Sequence, residues 1–155
     1  MSKRLDYWMD QAALAATQSK DRSRKVGCVI VDERHGVVVS TGWNGFPRGV
    51  NDDVEHRHVR PDKYKWTEHA ERNAIFNAAR RGTSTDGCSI FIPWFPCSDC
   101  ARAIIQSGIE RMYCIRHDDN DAQWSKDMDI AAAMLIEADI EIQYVTEREA
   151  PKAAT

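Results

Sequence analysis

Gly87-Cys88-Ser89-Ile90-Phe91-Ile92-Pro93-Trp94-Phe95-Pro96-Cys97-Ser98-Asp99-Cys100 carries the change of period on which the fold turns. The apolar run through Ile92 reads as a strand, and Pro96 stands where proline favours the first turn of a helix. That helix is expected to run to about Ser107-Gly108, after which Arg111-Met112-Tyr113-Cys114-Ile115 reads as another strand. Strand, helix and strand in succession imply a crossover and parallel pairing. Working outward, residues 26–31 and 37–41 flank Asp32-Glu33-Arg34-His35-Gly36 as a hairpin, and residues 140–145 alternate as a fifth strand. Apolar spacing predicts further helices over residues 5–18, 67–81 and 128–136, with Gly82 as the stop after the second. The fold class is therefore α/β: a three-layer α/β/α sandwich on a mixed five-stranded sheet whose first two strands are an antiparallel hairpin.

The chain has 155 residues, 43% apolar and 29% charged, a balance that lets one domain bury a core without disulfides. Residues 1–155 are expected to form that single domain, with residues 146–155 as a frayed polar tail. A net charge of −3 and a pI near 5.9 argue against a protein built to coat nucleic acid, and no such partner is expected. They are compatible with a small anionic substrate held by a local cluster of cations. No apolar run approaches the roughly 20 residues of a membrane span, so no membrane partner is expected. Met1-Ser2-Lys3-Arg4-Leu5-Asp6-Tyr7 lacks the apolar stretch of a secretory signal. Five cysteines, an odd number, read as thiols in a reducing cytoplasm.

Two of those thiols, Cys97 and Cys100, lie three apart near one predicted helix start; His69 lies at another, with Glu71 two residues on. A catalytic zinc takes three protein ligands and keeps a fourth position for water, whereas a structural zinc is closed by four. His69, Cys97 and Cys100 supply three at motif spacing. Glu71 is too near His69 on the chain to be an easy fourth ligand, yet is placed to handle a proton. A lone C-x-x-C is shared with redox motifs and zinc knuckles, but H-x-E followed by P-C-x-x-C is the pattern of zinc nucleobase deaminases. The expected cofactor is one catalytic Zn2+. Glu71 is expected to pass a proton from the attacking water to ring N3 and then to the departing amine. In an open α/β sheet such groups collect beyond strand ends, where the next helices begin. Two other readings stand beside this one: Glu71 as an ordinary helix-start acid, and a zinc-stapled structural module. The second needs a fourth ligand, for which Cys88, Cys114, His56, His58 and His117 have no motif spacing.

Residues 42–66 show no period and read as a long loop, a length that is often functional. Within it His56 and His58 read as surface histidines. Asn44, beside Gly45, either tolerates a left-handed turn or touches a ligand. Ser19-Lys20-Asp21-Arg22-Ser23-Arg24-Lys25 is either a solvated loop or a rim that meets a phosphate. Cys28 and Cys88 read as core packing, as do Trp43, Trp94 and Phe95, two of which flank the proposed site.

Three stretches carry a family resemblance. They are Ser40-Thr41-Gly42-Trp43-Asn44-Gly45-Phe46-Pro47-Arg48-Gly49, then Lys63-Tyr64 leading into His69-Ala70-Glu71-Arg72-Asn73-Ala74-Ile75, then Phe95-Pro96-Cys97-Ser98-Asp99-Cys100-Ala101 with Ile104-Ile105-Gln106-Ser107-Gly108-Ile109. Together they resemble the deoxycytidylate (dCMP) deaminases of the cytidine and deoxycytidylate deaminase superfamily. The resemblance implies a cytidine deaminase-like fold, zinc on His69, Cys97 and Cys100, and Glu71 as proton shuttle. It implies hydrolysis of dCMP to dUMP and ammonia, supplying dUMP for thymidylate synthesis. It further implies Asn44 against the bound nucleotide, with Ser19 and Lys20 near its phosphate. Family members form homo-oligomers, hexamers favoured, switched on by dCTP and off by dTTP through the loop that is here Gly45, Phe46, Pro47, Arg48 and Gly49. Deaminases of dCTP, cytidine, guanine or a tRNA adenosine share every zinc residue and remain the alternative. The resemblance lapses after the fourth strand, where members often carry a tyrosine-containing segment and this chain has His117-Asp118-Asp119-Asn120-Asp121.

Overall fold

A computed structural model describes residues 3–115 and 125–145. In chain order its elements are α1 (Lys3–Ala16), β1 (Gly27–Asp32), β2 (Val37–Trp43), a 3-10 turn (Glu55–His58), α2 (Lys63–Trp66), α3 (Ala70–Arg80), β3 (Ser89–Ile92), α4 (Ser98–Gln106), β4 (Arg111–Ile115), α5 (Ser125–Glu137) and β5 (Glu141–Val145). The segment His117–Asp121 and the tail 146–155 lie outside the described residues.

The five strands form one sheet in the order β2-β1-β3-β4-β5. β1 pairs antiparallel with both β2 and β3, while β3 to β4 and β4 to β5 are parallel. The expected mixed sheet is therefore present, with one detail that spacing did not convey. β2 and β3, joined through α3, do run in the same direction, but β1 is inserted between them.

Strand alternation sorts the core into two layers. Cys28, Ile30, Ile90, Ile92, Met112 and Cys114 face α3, α4 and α5, where Ala74, Ile104, Ala131 and Leu135 meet them. Val29, Val31, Phe91, Tyr113 and Val145 face the other way and are covered by Trp8 and Ala12 of α1. Phe91 and Tyr113 stack there with ring centroids 4.4 Å apart. Burial of each such large apolar side chain stabilises the fold by roughly 1.5–3 kcal/mol. Helices thus cover both faces, as the α/β/α expectation requires.

Two close approaches set the helices on the sheet. A Cβ on Gly27 would lie 2.1 Å from Ala12 O, and a Cβ on Gly42 would lie 2.3 Å from both Ala70 O and Ala74 N. The second contact seats the start of α3 directly on β2. Polar groups then stitch the pair: Ser40 Oγ donates to Ala74 O, Asn77 Nδ2 to Thr41 O and Asn73 Nδ2 to Trp43 O, each at 2.7 Å.

Several expected boundaries shift. β2 continues to Trp43, and the stretch read as a featureless loop contains the 3-10 turn and α2; each has four residues, too few to show a period. Thr67 does not open α3. Its hydroxyl donates to Lys63 O at 2.8 Å and its N–H bonds the same carbonyl, so it closes α2 instead. Glu68 is then held extended by a two-way bridge to Gly45, 3.0 and 2.7 Å, which delays α3 until Ala70. Likewise Pro96 precedes α4 by two residues, with the intervening Cys97 extended at ψ 169°.

Candidate active site

His69 and Cys97 occupy the N-cap positions of α3 and α4. Such positions ordinarily hold Ser, Thr, Asp or Asn, whose side chains cap the helix; neither His69 nor Cys97 makes a side-chain cap. Instead both point at one spot, joined by Cys100 from the first turn of α4. His69 Nδ1 lies 3.4 Å from Cys97 Sγ and 3.4 Å from Cys100 Sγ. Tetrahedral zinc with its usual Zn–N and Zn–S bonds requires an N···S separation of about 3.6 Å, so the three side chains fit the metal almost as they stand. Among the described residues they are the one group of three or more potential ligands that converges, and no fourth joins them. That argues against the structural-module reading.

Electrostatics at this spot hold Cys97 toward the thiolate, the form of cysteine that binds a metal. The hydrogen bond from Cys100 lowers the Cys97 thiol to about 4, with His69 assisting. The hydrogen bond with Cys97 in turn raises His69 to about 9. The hydrogen bond between Cys97 and Cys100, and then burial, push Cys100 up. A metal ion replaces the protons these groups share. Two helix N-termini aim their positive ends at the same point, and Arg72, ion-paired with Glu68 and 3.5 Å from Asp99, adds a fixed cation beside the sulfurs.

Glu71 is 5% exposed and stays outside the ligand group. Burial raises its carboxyl above the ordinary 4.5, against the lowering pull of His69. A carboxyl whose affinity for a proton is raised by burial suits acid–base work. A solvated helix-start acid would be exposed and show no such rise.

A cavity of about 140 Å³ opens over these groups, lined by His69, Glu71 and Cys97 below and by Asn44, Trp94 and Phe95 at the sides. Asn44 does not adopt a left-handed turn; Asp139 is the one described non-glycine residue with positive φ. Its side chain is bonded at both ends, Oδ1 accepting from Val26 N–H and Nδ2 donating to Arg24 O, both at 2.8 Å. Ser19 is 2% exposed, and its hydroxyl donates to Asn44 O at 2.8 Å. Lys20 pairs with Asp52 at 2.7 Å and lines a neighbouring cavity of about 240 Å³ together with Gly45 and Phe46. Neither Ser19 nor Lys20 lines the cavity over His69. His58 departs from the surface reading: its Nε2 is 2.6 Å from Asp52 O and its ring packs on Phe46 at 5.0 Å. Cys28 and Cys88 are buried as expected, and so is Phe95; Cys114 is buried too, whereas Trp43 and Trp94 are each 37% exposed.

Sequence reasoning missed two supports. Asp127 of α5 accepts from Ser98 N–H at 2.8 Å and from Ser98 Oγ at 2.6 Å, supplying the cap that Cys97 does not. Lys63 Nζ reaches Asp21 at 2.7 Å with both side chains buried, tying the start of α2 to the loop before β1. No local pattern marks a pair 29 or 42 residues apart.

Three converging ligands and an unligated buried carboxyl at the helix tips of an α/β/α sandwich form the site of a zinc-dependent deaminase. A model of the cytidine and deoxycytidylate deaminase zinc-binding region matches residues 2–116, and the chain belongs to that family. It is 37% identical over 148 residues to an uncharacterized deaminase of Aliivibrio fischeri, covering 94% of this chain and 95% of that one. It is 38% identical over 125 residues to the deoxycytidylate deaminase of Homo sapiens, covering 76% of this chain and 68% of that one. Among solved structures, the dCMP deaminase of cyanophage S-TIM5 in complex with dCMP and dUMP superposes with a TM-score of 0.73 at 26% identity, covering 94% of this chain and 99% of that one.

Proposed function

We propose that the protein is a deoxycytidylate deaminase that hydrolyses dCMP to dUMP and ammonia, supplying dUMP for thymidylate synthesis. The observation that carries this reading is the convergence of His69, Cys97 and Cys100 within 3.4 Å contacts beneath a cavity that Glu71 shares, in a chain related to deaminases of that substrate. His69, Cys97 and Cys100 hold the zinc. Bound there, zinc lowers the pKa of water from about 15.7 toward about 7 and so supplies hydroxide at neutral pH. The chain's own residues do the rest. Glu71 takes up one proton from the attacking water and gives it to ring N3 so that C4 becomes electrophilic; once the hydroxide has bonded to C4, the same carboxylate takes the remaining proton from the new hydroxyl and passes it to the amine, whose bond to C4 breaks to release ammonia. Burial raises the carboxyl above its ordinary 4.5 and so favours its protonated form. Trp94 and Phe95 give the pyrimidine an apolar wall. Asn44 faces the nucleotide from a backbone anchored by Ser19.

The loop Gly45, Phe46, Pro47, Arg48 and Gly49 is the proposed effector element, through which dCTP activates and dTTP inhibits. Its Gly45 and Phe46 line the second cavity with Lys20, and Asn44, Asp21 and Lys63 form a wall common to both cavities. A single domain over residues 1–155, a cytoplasmic location and a homo-oligomer, hexamer favoured, complete the reading. No helix among the described residues is long and apolar enough to cross a membrane. Exposed Phe76 on α3 and Val37 and Val38 on β2 offer apolar surface for subunit contact.

The test is ammonia release from dCMP, dCTP, cytidine, deoxycytidine, guanine and a tRNA anticodon stem, with and without dCTP and dTTP. Preference for dCMP supports the proposal; a higher kcat/KM on any other substrate replaces it.

A further inference from the structure

The cavity over His69 has three cations on its rim: Arg24, Arg60 and Lys63. Lys63 is neutralised internally, its Nζ 2.7 Å from Asp21 with side chains only 10% and 4% exposed. Arg24 and Arg60 are different, because among the described residues neither is in an ion pair. Each guanidinium lies over an aromatic ring of the same cavity. Arg24 is 4.0 Å from the Trp94 centroid and Arg60 is 5.7 Å from that of Tyr64. Lys20, Arg22, Arg72, Arg102 and Arg111, by contrast, all have carboxylate partners. In a chain of net charge −3, carboxylates are available to pair these two arginines as well. A guanidinium stacked on a ring keeps its in-plane N–H groups free for a planar, two-point contact with an oxyanion.

Both arginines are also held in place by their backbones. Asp21 Oδ1 accepts from Ser23 N–H at 2.8 Å and Arg24 N–H at 3.1 Å, and Asn44 Nδ2 donates to Arg24 O at 2.8 Å. Arg60 sits in the turn closed by Lys63 N–H on Val59 O, 2.9 Å. The Lys63–Asp21 pair then fastens that turn to the loop carrying Arg24. The buried pair therefore positions two free guanidiniums at one cavity mouth, and such preorganisation lowers the ordering cost of binding.

We infer that Arg24 and Arg60 form a two-arginine clamp for the phosphate monoester of the substrate and so discriminate nucleotide from nucleoside. This rests on the deoxycytidylate reading. It also moves the phosphate contact from Ser19 and Lys20, which do not line this cavity, to residues that do.

The experiment is steady-state kinetics of wild type, Arg24→Ala, Arg60→Ala, Arg24→Lys and the double alanine variant on dCMP and deoxycytidine, with zinc content measured on each. A hydrogen bond to a charged group contributes about 1.5–3 kcal/mol, or about 10- to 150-fold. Each alanine variant should lower the dCMP-to-deoxycytidine ratio of kcat/KM by that order, mainly through KM for dCMP, with Arg24→Lys intermediate. On wild type alone, inorganic phosphate should inhibit dCMP turnover competitively. Zinc-replete variants that keep the wild-type ratio overturn the clamp, as does absence of phosphate inhibition. A wild type that does not prefer dCMP to deoxycytidine instead overturns the deoxycytidylate reading.

Discussion

Asp127 caps the helix that carries Cys97 and Cys100, two of the three candidate metal ligands: its carboxylate accepts from both the N–H and the hydroxyl of Ser98, at 2.8 and 2.6 Å. Cys97, at the N-cap, has its sulfur turned to the metal site and leaves the first N–H of α4 unpaired within the helix. A residue from the next helix replaces the missing local cap. Asp127→Ala should cost about 1–2 kcal/mol of stability, the range for losing an N-cap. It should also weaken zinc retention, because Cys97 sits on the freed helix end. Denaturant unfolding and a chelator competition check both, and an unchanged chelator profile would separate the cap from the metal site.

Glu71→Gln should retain zinc and lose about 10²- to 10⁴-fold in kcat, the usual contribution of general acid–base catalysis. Ammonia release and metal analysis on the same preparation are the measurements. Near wild-type turnover would remove Glu71 from the proton path.

Removing the metal with a strong chelator should abolish activity and lower the Tm, since a ligand that binds only the folded state stabilises it by mass action. Added Zn2+ should restore both. His69→Ala should show the same loss without chelator and should not be restored by equimolar zinc.

Burial tends to raise the Asp21 carboxyl, but the hydrogen bonds from Lys63 and from the Ser23 and Arg24 N–H groups prevail and hold it below 3.8. With the folded pKa depressed, the stabilisation is full above about 3.8 and disappears as pH falls through the lower folded value. Asp21→Asn leaves Lys63 buried without its counter-ion and should cost about 3 kcal/mol at pH 7. The gap in Tm between wild type and variant should shrink below pH about 4. A constant gap down to pH 2 would show that the pair is not the source.

Gly42→Ala places a methyl group 2.3 Å from Ala70 O and Ala74 N, backbone atoms that cannot rotate away. Overpacking of this kind costs about 1–3 kcal/mol. Because the same contact seats the start of α3, zinc affinity should fall along with stability. Equilibrium denaturation and zinc titration of the purified variant test the two effects.

Much of this molecule was readable locally. The β-branched run over residues 26–31 read as a strand, while the structure sorts it, Cys28 and Ile30 onto one face and Val29 and Val31 onto the other, as a period of two requires. The helices around the site were visible too, but their starts were displaced: Thr67 and Pro96 look like openers, yet α3 begins at Ala70 and α4 at Ser98. The bridge between Gly45 and Glu68, a contact across 23 residues, keeps the chain extended where local preference alone would let it coil.

The chain by itself determined the layer architecture and the candidate ligand set His69, Cys97 and Cys100 with Glu71 beside it, since residue type and spacing carry these directly. Tertiary structure alone decided that β1 is inserted between β2 and β3, that Asp127 caps α4 and that Lys63 is buried against Asp21. It also placed Lys20 at one cavity and Arg24 and Arg60 at another. Each of these depends on which distant segments meet. That is settled when whole faces are buried together, and no short window of sequence contains both partners.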